Sequence, residues 1–289
     1  MSLTHVLNLG AGVQSTALYL LSMRGEEGVP KFDYAVFADT QEEPDSVYEH
    51  LERLEGLDGP PIVRVTNGSL GSAISAGTDY RGVGRTDGRH YISIPAYTVD
   101  PVTLKAGVIR RQCTGDYKVK PVERWIRETL GAKPGRPLEK TKEVVQYMGL
   151  SFDEPKRVIR VKSRFDAKPS NWHVRFPLWE MEWERQDCQS YCEEVLGNKV
   201  PRSACVFCPF KTDKEWKDLK ENDTKGWERA VEVDSMCRVG SGKDSMRYVH
   251  KSCVPLSEVD LRSKDEKSGQ MMFQHMRGFQ DECEGYCGN

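Results

Sequence analysis

Gly10-Ala11-Gly12-Val13-Gln14-Ser15-Thr16 sets two glycines and two hydroxyl side chains between the apolar run Val6 to Leu9 and a helical pattern. Glycines in such a strand-to-helix turn let backbone N–H groups approach an anion, and the helix N-terminus adds partial positive charge. That chemistry is capture of a phosphate or sulfate, with Ser15 and Thr16 as hydroxyl donors; an ordinary tight turn with an N-cap is the competing reading. The third glycine of a dinucleotide fingerprint and the lysine of a Walker A loop are both missing. Asp39-Thr40 closes the apolar run Tyr34 to Ala38. A carboxylate at a strand's C-terminal end faces a crevice and suits ribose or Mg²⁺, with Thr40 in reach of a phosphate, unless the pair caps the next helix. In Arg110 to Pro121, Arg111 and Lys118 suit an anion, the arginine through its bidentate fork, unless the run is a solvated basic turn.

The nine cysteines form the second chemical group. Cys205 and Cys208, between Pro201 and Pro209, have the two-residue spacing that lets both sulfurs point at one metal or cluster atom. A four-ligand centre needs further thiolates, and Cys113, the pair Cys188 and Cys192, and the pair Cys283 and Cys287 are candidates. A structural zinc and buried free thiols stand beside the cluster reading. Cys188, Cys192, Cys237 and Cys253 read as core or helix-face thiols, and the six histidines show no catalytic spacing.

In these residues the chain resembles the PP-loop ATP pyrophosphatase superfamily, and within it the phosphoadenosine phosphosulfate reductase-like family of phages and bacteria. Gly10, Ala11, Gly12, Gln14, Ser15 and Thr16 stand at the six specified positions of the family's Ser-Gly-Gly-Xaa-Asp-Ser-Thr loop. Gly10 replaces the serine, Ala11 a glycine and Gln14 the aspartate, which puts any role of that carboxylate in question. Phe37 to Pro44 is similar to the family's strand ending in Asp-Thr-Gly followed by Glu and Pro, and Arg110 to Pro121 to its Arg-Xaa-Cys-Thr…Lys-Xaa-Xaa-Pro segment. Gly149 to Arg157 resembles the element Gly-Ile-Ser-Xaa-Asp-Glu…Arg, making Arg157 a further anion ligand.

The resemblance implies an adenine nucleotide alpha hydrolase-like fold that binds ATP, or phosphoadenosine phosphosulfate, with Mg²⁺. It implies an enzyme that adenylates an acceptor and couples this to sulfur transfer, thiolating a nucleobase or DNA, with Cys113 as the third ligand of a [4Fe–4S] cluster beside Cys205 and Cys208. Zn²⁺ is the alternative metal. The tail Asp281 to Gly288 is similar to the C-terminal Glu-Cys-Gly of sulfonucleotide reductases, implying Cys283 or Cys287 as a nucleophile on sulfur. A ligand pair that includes Cys283, a redox pair, and incidental thiols are the other readings of that tail. A non-catalytic, zinc-stabilised nucleotide-binding module is the third functional alternative.

The elements that must carry these groups alternate. Leu3 to Leu9, Tyr34 to Ala38, Ile62 to Val65 and Glu143 to Gly149 read as strands, and Gln14 to Met23, Asp45 to Leu54 and Lys118 to Leu130 as helices. Strand-helix alternation predicts an α/β fold with a doubly wound parallel sheet and a ligand site at the strands' C-terminal ends. The expected division is an α/β domain over 1–180 and a smaller helical, cysteine-bearing region over 181–289. Gly77 to Pro101 reads as a long lid-like loop. The basic stretch Lys156 to Arg175 reads as a solvated, half-buried strand face or as a nucleic-acid dock with Phe165, Trp172 and Phe176 as stacking surfaces.

With 42 basic against 44 acidic residues in 289, the chain has no global field, so a polyanionic partner needs a local patch. No stretch reaches membrane-span length and the N-terminus lacks a signal-peptide pattern, so a cytoplasmic protein without membrane contact is expected.

Overall fold

The computed structural model describes residues 2–86, 90–100, 102–103, 105–133, 136, 138–168, 171–238 and 246–262. In chain order the elements begin β1 (Ser2–Leu9), α1 (Val13–Arg24), β2 (Tyr34–Asp39), α2 (Asp45–Glu55), β3 (Ile62–Thr66), α3 (Leu70–Ala76), β4 (Tyr97–Val99) and β5 (Ala106–Val108). A π-helical segment (Thr114–Val119) then leads into α4 (Lys120–Thr129). There follow β6 (Lys142–Met148), α5 (Pro155–Asp166), β7 (Trp172–Arg175), α6 (Pro177–Glu180), α7 (Arg185–Leu196), α8 (Asp213–Asn222), α9 (Thr224–Arg238) and β8 (Met246–Tyr248).

The chain divides into two compact units. The first joins Met1–Gly68 to Thr114–Ser203, and the second joins Ser69–Cys113 to the described part of Ala204–Asp281. This division is discontinuous in sequence, unlike a single boundary at residue 180. The physical reason is that β6 pairs with β1 along most of its length, which returns the chain to the first unit after an excursion.

In the first unit five parallel strands lie in the order β3-β2-β1-β6-β7. It is an α/β fold, with a mostly parallel sheet flanked by helices. The two-residue period of a strand places Val6 in one apolar cluster with Val36, Met148, Val158 and Trp172, and Leu7 in another with Leu18, Phe37, Leu51 and Tyr147. Helix α1 is buried from Val13 to Ser22, because α7 packs on it and adds Cys188 and Cys192 to the cluster that also holds Leu7. These two cysteines are core thiols, and the Cys192 Sγ donates to the Val13 carbonyl at 3.6 Å.

The second unit carries a three-stranded antiparallel sheet, β5-β4-β8, with α3 and α8 packed on α9. The fully buried Asp234 of α9 accepts the Val249 and Leu256 amides, each at 2.9 Å, and pairs with Arg238. The stretch Gly77 to Pro101, expected as loop throughout, contributes β4 at its end, where Tyr97 pairs with Val108 and Tyr248.

The basic stretch departs from the strand expectation. Residues 155–166 form α5, because Val158, Val161 and Phe165 fall on one helical face and pack into the core, an apolar spacing that outweighs the charge alternation at 160–162. Phe165, Trp172 and Phe176 are buried, and the Trp172 indole N–H donates to Gln146 Oε1 at 2.6 Å, so none of them is a stacking surface.

Candidate functional site

In the first unit the strand order reverses between β1 and β6, the point at which an open α/β sheet characteristically offers a ligand site. The Gly10–Thr16 loop leaves β1 at this point, and residues 149–154 leave β6 beside it. Ala11 holds φ 56°, the left-handed region that the resembling loop fills with glycine, and its Cβ makes this conformation cost about 1–2 kcal/mol. Gly12 ends the turn in extended conformation without a side-chain cap on α1, and the first turn of that helix has no acidic residue. An anion would therefore meet backbone amides without a competing carboxylate on the loop itself.

The two hydroxyls expected as anion donors bond within the protein in this structure. The Ser15 hydroxyl accepts the Gly10 amide at 3.1 Å and donates to the Gly12 carbonyl at 3.2 Å, closing a small ring around the turn. Thr16 Oγ1 lies 3.0 Å from Nε2 of His50, a buried α2 residue 34 positions away. Burial, and then the nearby Arg53, hold the His50 imidazole down at about 4, so it is neutral near pH 7.

Gln14, 1 % exposed, joins the two loops that follow β1 and β6. Its Nε2 donates to Ser151 Oγ at 2.6 Å and to the Glu154 carboxylate, while its Oε1 accepts from Arg185 Nη1 at 3.1 Å. Arg157 pairs with Glu154 from one turn along α5. Two guanidinium groups and one carboxylate thus surround a neutral carboxamide at the position where the resembling loop has an aspartate. An aspartate there would face Glu154, and the carboxamide avoids that like-charge contact while still bonding both neighbours.

At the end of β2, Asp39 Oδ1 accepts the Gln41 amide at 2.7 Å and the Tyr48 hydroxyl at 2.9 Å. Burial and the bond to Asp39 push the Tyr48 phenol above its ordinary range, so it stays a hydrogen-bond donor. Lys118, expected to grip phosphate, sits in the π-helical segment and donates to the fully buried Glu43 at 3.1 Å; Ser203 donates to the other Glu43 oxygen at 3.3 Å. Thr40 is buried beside them in sequence.

The second unit holds Arg111, Cys113, Cys205 and Cys208. The Arg111 guanidinium stacks 4.4 Å from the Phe210 ring centroid. The Cys208 amide donates to the Cys205 carbonyl at 2.9 Å, closing the CxxC turn, and the Cys113 amide donates to the Ser93 carbonyl at 2.8 Å. Among the described residues no group of three or more His, Cys, Asp or Glu side chains converges on a metal position. Cys113, Cys205 and Cys208 therefore do not by themselves form a cradle for a cluster or zinc, and no chemical step is assigned through one. Cys283 and Cys287 lie outside the described residues. Burial, and then the nearby Asp234, push the Cys237 thiol up to about 12, and burial raises Cys253, which keeps both protonated.

His50, Arg185, Ser151 and Glu154 carry no candidate role in the sequence reading. Ser151 and Glu154 stand inside the quoted Gly149 to Arg157 element, so that motif held a signal. His50 and Arg185 held none, since their partners lie 34 and 171 positions away. Among the described residues no helix is long and apolar enough to cross a membrane. No family model, curated protein or solved structure matches the chain.

Proposed function

We infer that the chain is an adenine-nucleotide-dependent enzyme whose first unit takes the nucleotide phosphates on backbone amides of the loop between Gly10 and Thr16. One observation carries this reading: the glycine-bearing loop lies where the strand order reverses, and it opens a helix that has no side-chain cap. The resemblance of four co-linear motifs supports adenine as the base and an adenine nucleotide alpha hydrolase-like fold. Asp39, held by Gln41 and Tyr48, keeps Oδ2 for ribose or for Mg²⁺ accompanying the phosphates. With ATP, an acceptor oxygen attacks the α-phosphorus and pyrophosphate leaves, and a sulfide-level donor supplied from outside then displaces AMP from the adenylated acceptor. Cys113, Cys205 and Cys208 are the described thiols proposed to bind that donor.

A second reading takes phosphoadenosine phosphosulfate in the same pocket, with Cys283 or Cys287 as nucleophile. The observation in its favour is Gln14, which leaves the loop without a carboxylate for a metal ion and with Arg157 and Arg185 close by.

The test is calorimetric titration of the protein with ATP, phosphoadenosine phosphosulfate and GTP, using wild type and Gly12→Ala. An adenine nucleotide should bind in preference to GTP, and the added methyl should weaken it while the melting temperature stays within a few degrees. Pyrophosphate release from ATP separates the two readings. Absence of adenine-nucleotide binding, or an unaltered Gly12→Ala variant, would overturn both.

A further inference from the structure

Helix α5 presents an outer face of cations. Lys156, Arg160, Lys162 and Arg164 are exposed, and among the described residues none of the four side chains makes an ion pair or hydrogen bond. Arg157, by contrast, turns inward to Glu154. Lys156, Arg160 and Arg164 follow one another at four-residue steps, so they form a stripe that advances about 6 Å along the helix per cation. The exposed Asp166 falls on another side of the helix at 100° per residue, well away from that stripe.

This arrangement works against the helix that carries it. Like charges at four-residue spacing repel, and a cation at the helix N-terminus meets the positive end of the macrodipole. The first turn of α5 has no acidic residue, and the Glu154 carboxylate at its N-cap is engaged by Gln14 and Arg157. Some exposed cations elsewhere pair locally, as in Lys120–Asp116 and Arg64–Glu55, and others such as Lys31 and Lys140 stand singly, but α5 gathers four on one short helix. A run that forgoes such partners, in a chain of formal net charge −2, points to an anion supplied from outside.

We propose that the Lys156–Arg160–Arg164 stripe of α5 docks the sugar-phosphate backbone of a nucleic acid. The evenly stepped cations match a linear polyanion. Phe165, Trp172 and Phe176 are buried and offer no base stacking, so recognition along the stripe is by backbone charge. A membrane surface fits poorly, because Val158, Val161 and Phe165 are packed into the core and Ile159 alone remains as an exposed apolar residue on the helix. A protein partner fits poorly for the same reason, since a protein interface is built around an apolar centre. The stripe starts two residues beyond Glu154, which is bonded to Gln14, so a strand tracking α5 has one end beside the Gly10–Thr16 loop. The docking itself does not depend on the nucleotide reading, and the two fail separately.

The experiment is fluorescence anisotropy with a labelled single-stranded oligonucleotide and no nucleotide triphosphate, across a salt series. Wild type is compared with the full-length triple variant Lys156→Ala, Arg160→Ala, Arg164→Ala. Alanine is the strongest helix former, so α5 should persist, and a thermal melt checks this. Loss of three phosphate contacts should weaken binding about tenfold or more at low salt and reduce the slope of log K against log salt by about 2. If the variant fails to fold, Arg160→Ala alone is used, with a slope change of about 0.7 expected. Absence of oligonucleotide binding by wild type, or a slope unchanged by the substitutions, overturns the proposal. So does equal or tighter binding to polyglutamate or to phosphatidylserine vesicles.

Discussion

In the first unit the polar side chains around the Gly10–Thr16 loop bond one another across long stretches of sequence, whereas in the second a buried carboxylate secures nearby backbone and the cysteines stand apart. Gln14 reaches Ser151, Glu154 and Arg185, and Thr16 reaches His50. Asp234 instead takes amides 15 and 22 positions away and an arginine one turn along its own helix. The difference teaches where each unit keeps its polar groups. A parallel sheet gathers loops from distant strands at one edge, so its ligand-capable groups position each other. The short antiparallel sheet has no such edge, and its buried charge stabilises a turn.

The contrast is most sharply tested in the second unit. Asp234→Ala leaves Arg238 without its carboxylate and uncovers two buried amides, so it should cost about 3–5 kcal/mol, read from urea denaturation. A loss under about 1 kcal/mol would show that Asp234 is not the support the second unit relies on.

His50 supplies the next largest effect. Its value of about 4 lies below the unfolded 6.5, so the unfolded chain takes up the proton first as pH falls. The stabilisation is complete above about pH 6.5 and is lost as pH drops toward 4, by up to about 3 kcal/mol. His50→Gln keeps a partner for Thr16 and does not titrate, so its denaturation midpoint should vary less with pH over that window. A parallel pH profile in both proteins would remove His50 from the loop's support.

The smallest effect concerns the loop's charge. Gln14→Asp sets a second carboxylate against Glu154 and should cost about 1–2 kcal/mol, with Arg185 offsetting part of the repulsion. Adding Glu154→Gln should restore much of that loss, a coupling that a double-mutant cycle measures directly. Additive losses would mean that the two loops do not position each other.

The alternation from β1 to β3 was legible in the residues, because apolar runs and helical spacing are local properties, and so was the loop at Gly10–Thr16. α5 was misread because the charge alternation at 160–162 imitates a strand face, while the apolar set Val158, Val161 and Phe165 extends over more residues. Ser15 and Thr16 were read as ligand donors, although their hydroxyls bond the loop and His50.

What the sequence determined by itself is therefore the order of elements and the kinds of group each carries, since backbone propensity and apolar period act over a few residues. The partners of those groups were decided by the tertiary structure. Placing β6 beside β1 set Glu154 against Gln14, and packing α7 on α1 accompanied Arg185 to the loop. Such bonds depend on distances in space between residues more than a hundred positions apart, and no local pattern encodes them.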